Sequence, residues 1–270
     1  MDLAIRQPQF HNLAAISGES GRAIARSQNF SIERLVGRAG SRFGFAGRTE
    51  CIVLLPAIGA NLSGDHEARL PGHAAVIVPQ GAYELELGGA GEAYILTTDR
   101  SDQEGQGIPP HDARLRPVGA PRRRIVREGE VRVHPVGEIV IPPDNGRLRF
   151  LQSETMSINW VEYDGVRDRS GLSPHAHVDF EQASLAIAGE FVHHLRTPWG
   201  RNADLWHDDA HLSVGPASVV VISPEIIHTT EGVGEGHHVL VDVFAPPRED
   251  FIARNWVFNA NEYANSNTAG

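Results

Sequence analysis

The sequence predicts an all-β protein built as two similar barrels in tandem, with few short helices. Three observations predict it. Short apolar runs recur through most of the chain, each broken by glycine, proline or asparagine, the pattern of many short strands in a sandwich or barrel. No segment of useful length between them carries the period of an amphipathic helix. One stretch also occurs twice in outline. Leu70 to Gly81 resembles Leu212 to Pro224, each with a turn glycine, an apolar strand and then a proline. A repeat at that separation implies two copies of one unit.

Taken in order, residues 1–29 are weakly patterned and read as an N-terminal arm that packs on something else. Leu13 to Ile24 can hold a short helix, weakened by Gly18 and Gly21. The first barrel, 30–110, carries strands at Cys51–Leu55, Ala74–Val78, Tyr83–Leu87 and Ala93–Thr97. Pro, Gly and charge concentrate before Ile125, so 111–124 reads as a linker. Its run Arg122-Arg123-Arg124 is read as solvated. The second barrel, 125–260, carries strands or fragments at Val131–Val133, Glu138–Ile141, Arg147–Leu151 and Ser157–Tyr163. It continues with Phe191–Leu195, Val219–Ile222 and His238–Phe244. Phe251 to Tyr263 suits a short helix or docking arm, and 261–270 reads as a flexible tail.

Composition excludes several functions. The formal charge of −10 argues against nucleic acid as a partner. No run is long and apolar enough for a membrane helix, and the start lacks a signal-peptide core; a cytoplasmic protein is expected. The single cysteine, Cys51, rules out an internal disulfide framework or a thiolate metal cluster. All 24 basic residues are arginines. That removes lysine Schiff-base chemistry, a phosphate-loop lysine and a lysine general base.

The chemistry-bearing stretch is Gly171 to Gly189. His175 and His177 are two apart, so on a strand they point the same way. Glu181 follows four residues on, and Pro224 to His228 brings a third histidine. Nitrogen and oxygen donors of this kind suit a divalent transition metal with open positions. Glu181 shares strand parity with Ala183, Leu185 and Ile187. If those apolar residues face the barrel interior, Glu181 does too, and a metal is a natural partner for a buried carboxylate.

These residues resemble the two motifs of the cupin superfamily, G-x5-H-x-H-x3or4-E-x6-G and G-x5-P-x-G-x2-H-x3-N. The H-x-H-x3-E core matches at His175, His177 and Glu181. The gap from Glu181 to Gly189 is one residue longer than the pattern, and Gly171 lies closer to His175 than its glycine does. In the second motif, Ile226 replaces the inner glycine and Gly232 stands four residues after His228, so the closing Asn is missing. The resemblance implies two jelly-roll-like cupin barrels, a bicupin, with a metal site in the C-terminal one held by His175, His177, Glu181 and His228. It also implies a homodimer. The N-terminal copy places Glu84 where the second-motif histidine would stand and keeps no histidine at a ligand position. It is expected to be metal-free, with His66 and His73 on the surface.

Other candidates surround this core. His193 shares parity with Phe191 and Leu195 and is a candidate for a catalytic or substrate contact beside Glu181. Arg196 can hold a substrate carboxylate. Trp199 and Trp206 lie in a long polar insert that can lid the pocket or anchor the loop. The expected cofactor is one divalent transition metal per chain, Zn, Mn, Fe or Ni, and the expected partner a small-molecule substrate. Three functions fit. The first is an isomerase, epimerase or lyase acting on a sugar acid or keto acid, with the metal as Lewis acid. The second is an iron or manganese dioxygenase. The third is a non-enzymatic small-molecule binder.

Overall fold

The computed structural model describes residues 5–16, 21–98, 111–126, 129–143 and 146–264. Of the flexible tail expected over 261–270, residues 265–270 lie outside them, as does the end of the first barrel over 99–110; within 261–264 Tyr263 is buried, against that expectation.

The first half runs β1 (Gln9–Asn12), α1 (Leu13–Ile16), β2 (Arg22–Arg26), β3 (Ser31–Gly37), β4 (Arg42–Gly47), β5 (Cys51–Leu55), β6 (Ala60–Gly64), β7 (Ala68–Leu70), β8 (Ala74–Val78), β9 (Gly81–Leu87) and β10 (Gly91–Thr97). The second runs β11 (Arg132–Pro135), β12 (Phe150–Gln152), β13 (Ser157–Asp164), β14 (Gln182–Ala188), β15 (Glu190–Arg196), β16 (Ala210–Val214), β17 (Ser218–Ile222), β18 (Ile227–Val233), β19 (His237–Phe244) and α2 (Glu249–Ala253).

The strands form two equivalent sandwiches. One pairs the sheet β11-β8-β5-β10-β3-β2 with β4-β9-β6-β7; the other pairs β1-β17-β14-β19-β13-β12 with β16-β15-β18. The repeated sequence stretches become β8 and β17, which hold the same place in their sheets. Both large sheets are buried on both faces. Cys51, Val53 and Leu55 point into the first barrel, while Ile52 and Leu54 point at the second. The second barrel answers with Ile158, Trp160, Leu185, Val219, Val221 and Val241. Burial on both faces is why these strands read as continuous apolar runs.

Three expectations change. The helix expected within Leu13–Ile24 shrinks to α1, capped by the Asn12 side chain accepting from the backbone N–H groups of Ala14 and Ala15 at 3.1 Å each; Ile24 joins β2. Glu138–Ile141 forms no strand; Val136–Glu138 is a 3-10 turn. Val136 and Ile139 are buried, so the apolar signal was real, but Pro142 and Pro143 cannot donate to a ladder. Third, the barrels exchange edge strands. β1, from the arm, pairs with β17 of the second barrel, and β11, assigned to the second barrel, pairs with β8 of the first. Strand pairing of this kind leaves no trace in local pattern.

Two buried glutamates fasten this exchange. Glu50 precedes β5 and Glu181 precedes β14. The registers Cys51 to Val78 and Gln182 to Ile222 make them equivalent. Glu50 accepts from Arg132 at 2.6 Å, Arg124 at 3.2 Å, the Tyr263 hydroxyl at 2.7 Å and the backbone N–H of Glu154 at 2.9 Å. Glu181 pairs with Arg6 of the arm and accepts from the backbone N–H of Gln28 at 2.5 Å. Each carboxylate therefore caps a turn of the other barrel.

Removing one partner of a buried charge network is costly, because the remaining charges are left unpaired. Glu50→Ala is expected to lower unfolding free energy by about 3–5 kcal/mol, measured by urea denaturation. A loss no larger than that of a surface substitution would show that Glu50 does not hold the barrels together.

Candidate metal centre

The loop after β13 returns to the barrel through an isolated antiparallel bridge between His175 and His228. His175 N–H donates to His228 O at 3.0 Å, and His228 N–H to His175 O at 2.8 Å. Glu225 N–H donates to His177 O at 2.7 Å. Glu225 takes φ +70, so the left-handed residue of this turn sits one position before Ile226, which replaces the expected glycine. These contacts bring His175, His177 and His228 together, with one ring nitrogen of each within 4.8 Å of the others.

The rings are oriented for coordination. His175 Nδ1 bonds to Ser173 O and His228 Nδ1 to Ile226 O, each at 2.9 Å. With Nδ1 bonded to a carbonyl it carries the proton, and Nε2 keeps a free lone pair. Burial drives His177 down to about 2 and His228 down to about 4, with the neighbouring imidazoles adding to each. His177 and His228 are therefore neutral at physiological pH, the form a metal requires.

The fourth donor is not Glu181. Its strand parity with Ala183, Leu185 and Ile187 is as expected, but that face packs on the other barrel. Glu181 points at Arg6, away from the histidines. Gln182, on the opposite parity, faces the barrel interior. Its Oε1 lies 3.0 Å from His177 Nε2 and 3.3 Å from His228 Nε2. Its amide nitrogen is spent on Asp242 Oδ1 at 2.8 Å and Ser184 Oγ at 3.0 Å, so the oxygen is the atom aimed at the histidines. Asp242 is partly buried, accepts also from Ser184 at 2.7 Å and Asn159 at 3.3 Å, and has its pKa raised by burial. The sequence carried a signal for Gln182. Counted from it, six residues separate the motif position from Gly189, which is the pattern's own gap. At Gly189 φ is +83, and an added Cβ would strike the His238 ring, so that glycine is a fixed reference point.

A cavity of about 220 Å³ opens over the histidines. His175, His228, Gln182, Asn159, Asp242, Thr229 and Thr230 give it a polar floor; Phe150, Phe244, Phe251 and Trp256 give it an apolar wall. Phe251 and Trp256 come from the segment following β19, so the docking-arm expectation for that segment holds and the arm helps build the pocket.

The other candidates stand elsewhere. His193 is fully buried, its Nδ1 2.9 Å from Thr230 Oγ1, and burial lowers it to about 3. It shares the inward face of β15 with Phe191 and Leu195, opposite Thr230, but close packing leaves it out of the cavity lining. Arg196 is exposed and forms a two-pronged ion pair with Asp209, closest at 2.5 Å. Trp199 and Trp206 stack on each other at 4.6 Å and remain 68% and 44% exposed. They anchor their own loop, Trp206 Nε1 donating to Gly200 O at 2.8 Å, and lie outside the cavity. In the first barrel Cys51 stands where Gln182 does, and Glu84 is half-exposed beside Arg42 at 3.4 Å. His73 reaches across to Glu162 of the second barrel at 2.8 Å. Among the described residues no other such trio of side chains converges.

Fold and site together define a two-barrel, cupin-like all-β protein with one histidine cluster inside its second barrel. The same fold occurs in a mutant of the oxalate decarboxylase OxdC from Bacillus subtilis, with TM-score 0.61 and 11% identity over 88% of this chain and 77% of that one. It occurs also in AerE from Microcystis aeruginosa, with TM-score 0.55 and 8% identity over 83% of this chain and 91% of that one. No protein-family model matches the sequence, and no curated protein matches it. Among the described residues no helix is long and apolar enough to cross a membrane.

Two outcomes are expected. Glu181→Gln should lose stability yet bind metal as before, whereas Asp242→Asn should turn the Gln182 amide and weaken metal binding about 10–100-fold. Competition titration with a metal indicator separates the two, and equal affinities would remove Gln182 from the site. Acid should also destabilise the metal-free protein. His177, His193 and His228 titrate below the ordinary 6.5 in the fold, so the unfolded chain takes up protons first. Their stability is whole above pH 6.5 and is lost as pH falls towards the folded values. Thermal unfolding after chelation should show the midpoint dropping between about pH 7 and 5; a flat profile would contradict neutral buried imidazoles.

Proposed function

We propose that this chain is a divalent-metal enzyme with one centre, in its second barrel, acting on a small oxygenated metabolite. The reaction is of the isomerase, epimerase or lyase type on a sugar acid or keto acid. The observation that carries this reading is the convergence of His175, His177 and His228 with the Gln182 amide oxygen, three of these four residues lining one cavity. A Zn, Mn, Fe or Ni ion held by these four residues would act as a Lewis acid on a carbonyl or hydroxyl oxygen.

The chain's own groups support the rest. The aromatic wall excludes water and strengthens every polar contact at the floor. Asn159 and Thr229 offer hydrogen bonds to hydroxyl groups of a substrate. Asp242 holds Gln182 in place, and the Tyr163 hydroxyl, kept protonated by burial, can donate a proton or hydrogen bond. With no lysine in the chain, proton transfer falls to these groups and the histidines.

The neutral ligand set favours this reading over a dioxygenase. Without a carboxylate ligand the metal's charge is uncompensated, which strengthens it as a Lewis acid and opposes oxidation to a higher charge. The first barrel, on this proposal, is metal-free and serves as a packing partner.

The purified protein is expected to hold close to one equivalent of divalent metal, with His228→Ala losing both metal and turnover of its sugar-acid or keto-acid substrate, and Glu84→Ala losing neither. Turnover should be the same with and without oxygen. Oxygen uptake coupled to turnover would replace this reading with the dioxygenase, and a metal-free wild type would end both.

A further inference from the structure

The cavity holds more positive charge than a metal centre requires. Arg147 and Arg167 both line it, beside Tyr163. Arg167 is fixed in position. Its backbone N–H donates to Gly232 O at 3.1 Å, its Nη1 donates to Thr230 O and its Nη2 to Gly171 O at 3.5 Å. Its Nε is buried with no hydrogen-bond partner.

Arg147 stands close enough to add to the effect of burial in lowering the Arg167 pKa. Among the described residues neither arginine makes an ion pair. The acids nearby are engaged: Glu231 with Arg169 and His194 at 3.0 Å each, and Asp242 with Gln182, Ser184 and Asn159. The third arginine of the cavity, Arg248, is taken by Asp250 at 2.6 Å and lies over the Phe251 ring at 3.7 Å. Two close guanidiniums without a counter-charge are what an anion would neutralise, and the guanidinium fork matches a carboxylate.

The distance also fits. Arg167 is anchored on Thr230, two residues along β18 from His228 and on the same face, a step of about 7 Å. We propose that Arg147 and Arg167, with the Tyr163 hydroxyl, bind a carboxylate of the substrate. The substrate is then a small acid whose carboxylate lies at the arginine pair and whose reacting oxygen lies at the histidines. This deepens the metal-enzyme reading and rests on it for the oxygen end only.

The test is calorimetric titration of malonate and of its neutral diamide, malonamide, into the metal-free full-length protein. Malonate should bind and malonamide should not. Arg147→Ala should weaken malonate about tenfold or more, and Arg147→Lys should recover part of it. The thermal midpoint and metal content of Arg147→Ala should match wild type. Arg147 carries the test because it is exposed, whereas Arg167 also latches its loop. Malonate binding that is absent, unchanged in Arg147→Ala, or matched by malonamide overturns the proposal. If the malonate pattern holds while no metal binds, the metal reading fails and the anion site stands. If metal binds normally and Arg147→Ala is indifferent to malonate, the anion site alone fails.

Discussion

The packing of one barrel against the other is the constraint on which the rest depends. Each large sheet must bury two faces, one in its own barrel and one against its neighbour. That choice decides which parity of every strand looks into the cavity. Two buried glutamates, Glu50 and Glu181, stand at equivalent places and cap turns of the opposite barrel. A carboxylate in such a place needs full satisfaction, and the exchanged segments supply it through Arg132, Arg124 and Arg6.

The metal centre inherits its geometry from this arrangement. Because Glu181 is committed to the interface, the next residue faces inward, and that residue is Gln182. Its amide oxygen lies beside His177 and His228 where an inward carboxylate would otherwise stand, without a carboxylate's charge. Asp242 behind it decides which end of the amide faces the histidines. The carboxylate thus stands behind the amide, and the cavity also holds Arg147 and Arg167, neither of which makes an ion pair among the described residues.

Much of this was legible in the chain. Cys51–Leu55 and Ala74–Val78 match their strands to the residue, because double-sided burial writes an unbroken apolar run. The three histidines were legible because H-x-H on an extended segment and a distant P-x3-H are local patterns. Glu181 was misassigned for a physical reason. Parity states which residues share a face but not whether that face looks into a barrel or at a neighbouring one. Arg196, at the end of β15, and Trp199 and Trp206, in the loop after it, were residue types suited to binding; their partners, Asp209 and each other, become visible only in three dimensions.

By itself the sequence determined the β class, the duplication and the histidine trio. These are properties of short segments, set by side-chain alternation and turn chemistry. Only the tertiary structure decided the exchange of β1 and β11, the turning of Glu181 to the interface, and the meeting of Arg147, Arg167 and Tyr163 around one cavity. Those depend on which surfaces bury each other across more than a hundred residues, and no local pattern encodes that.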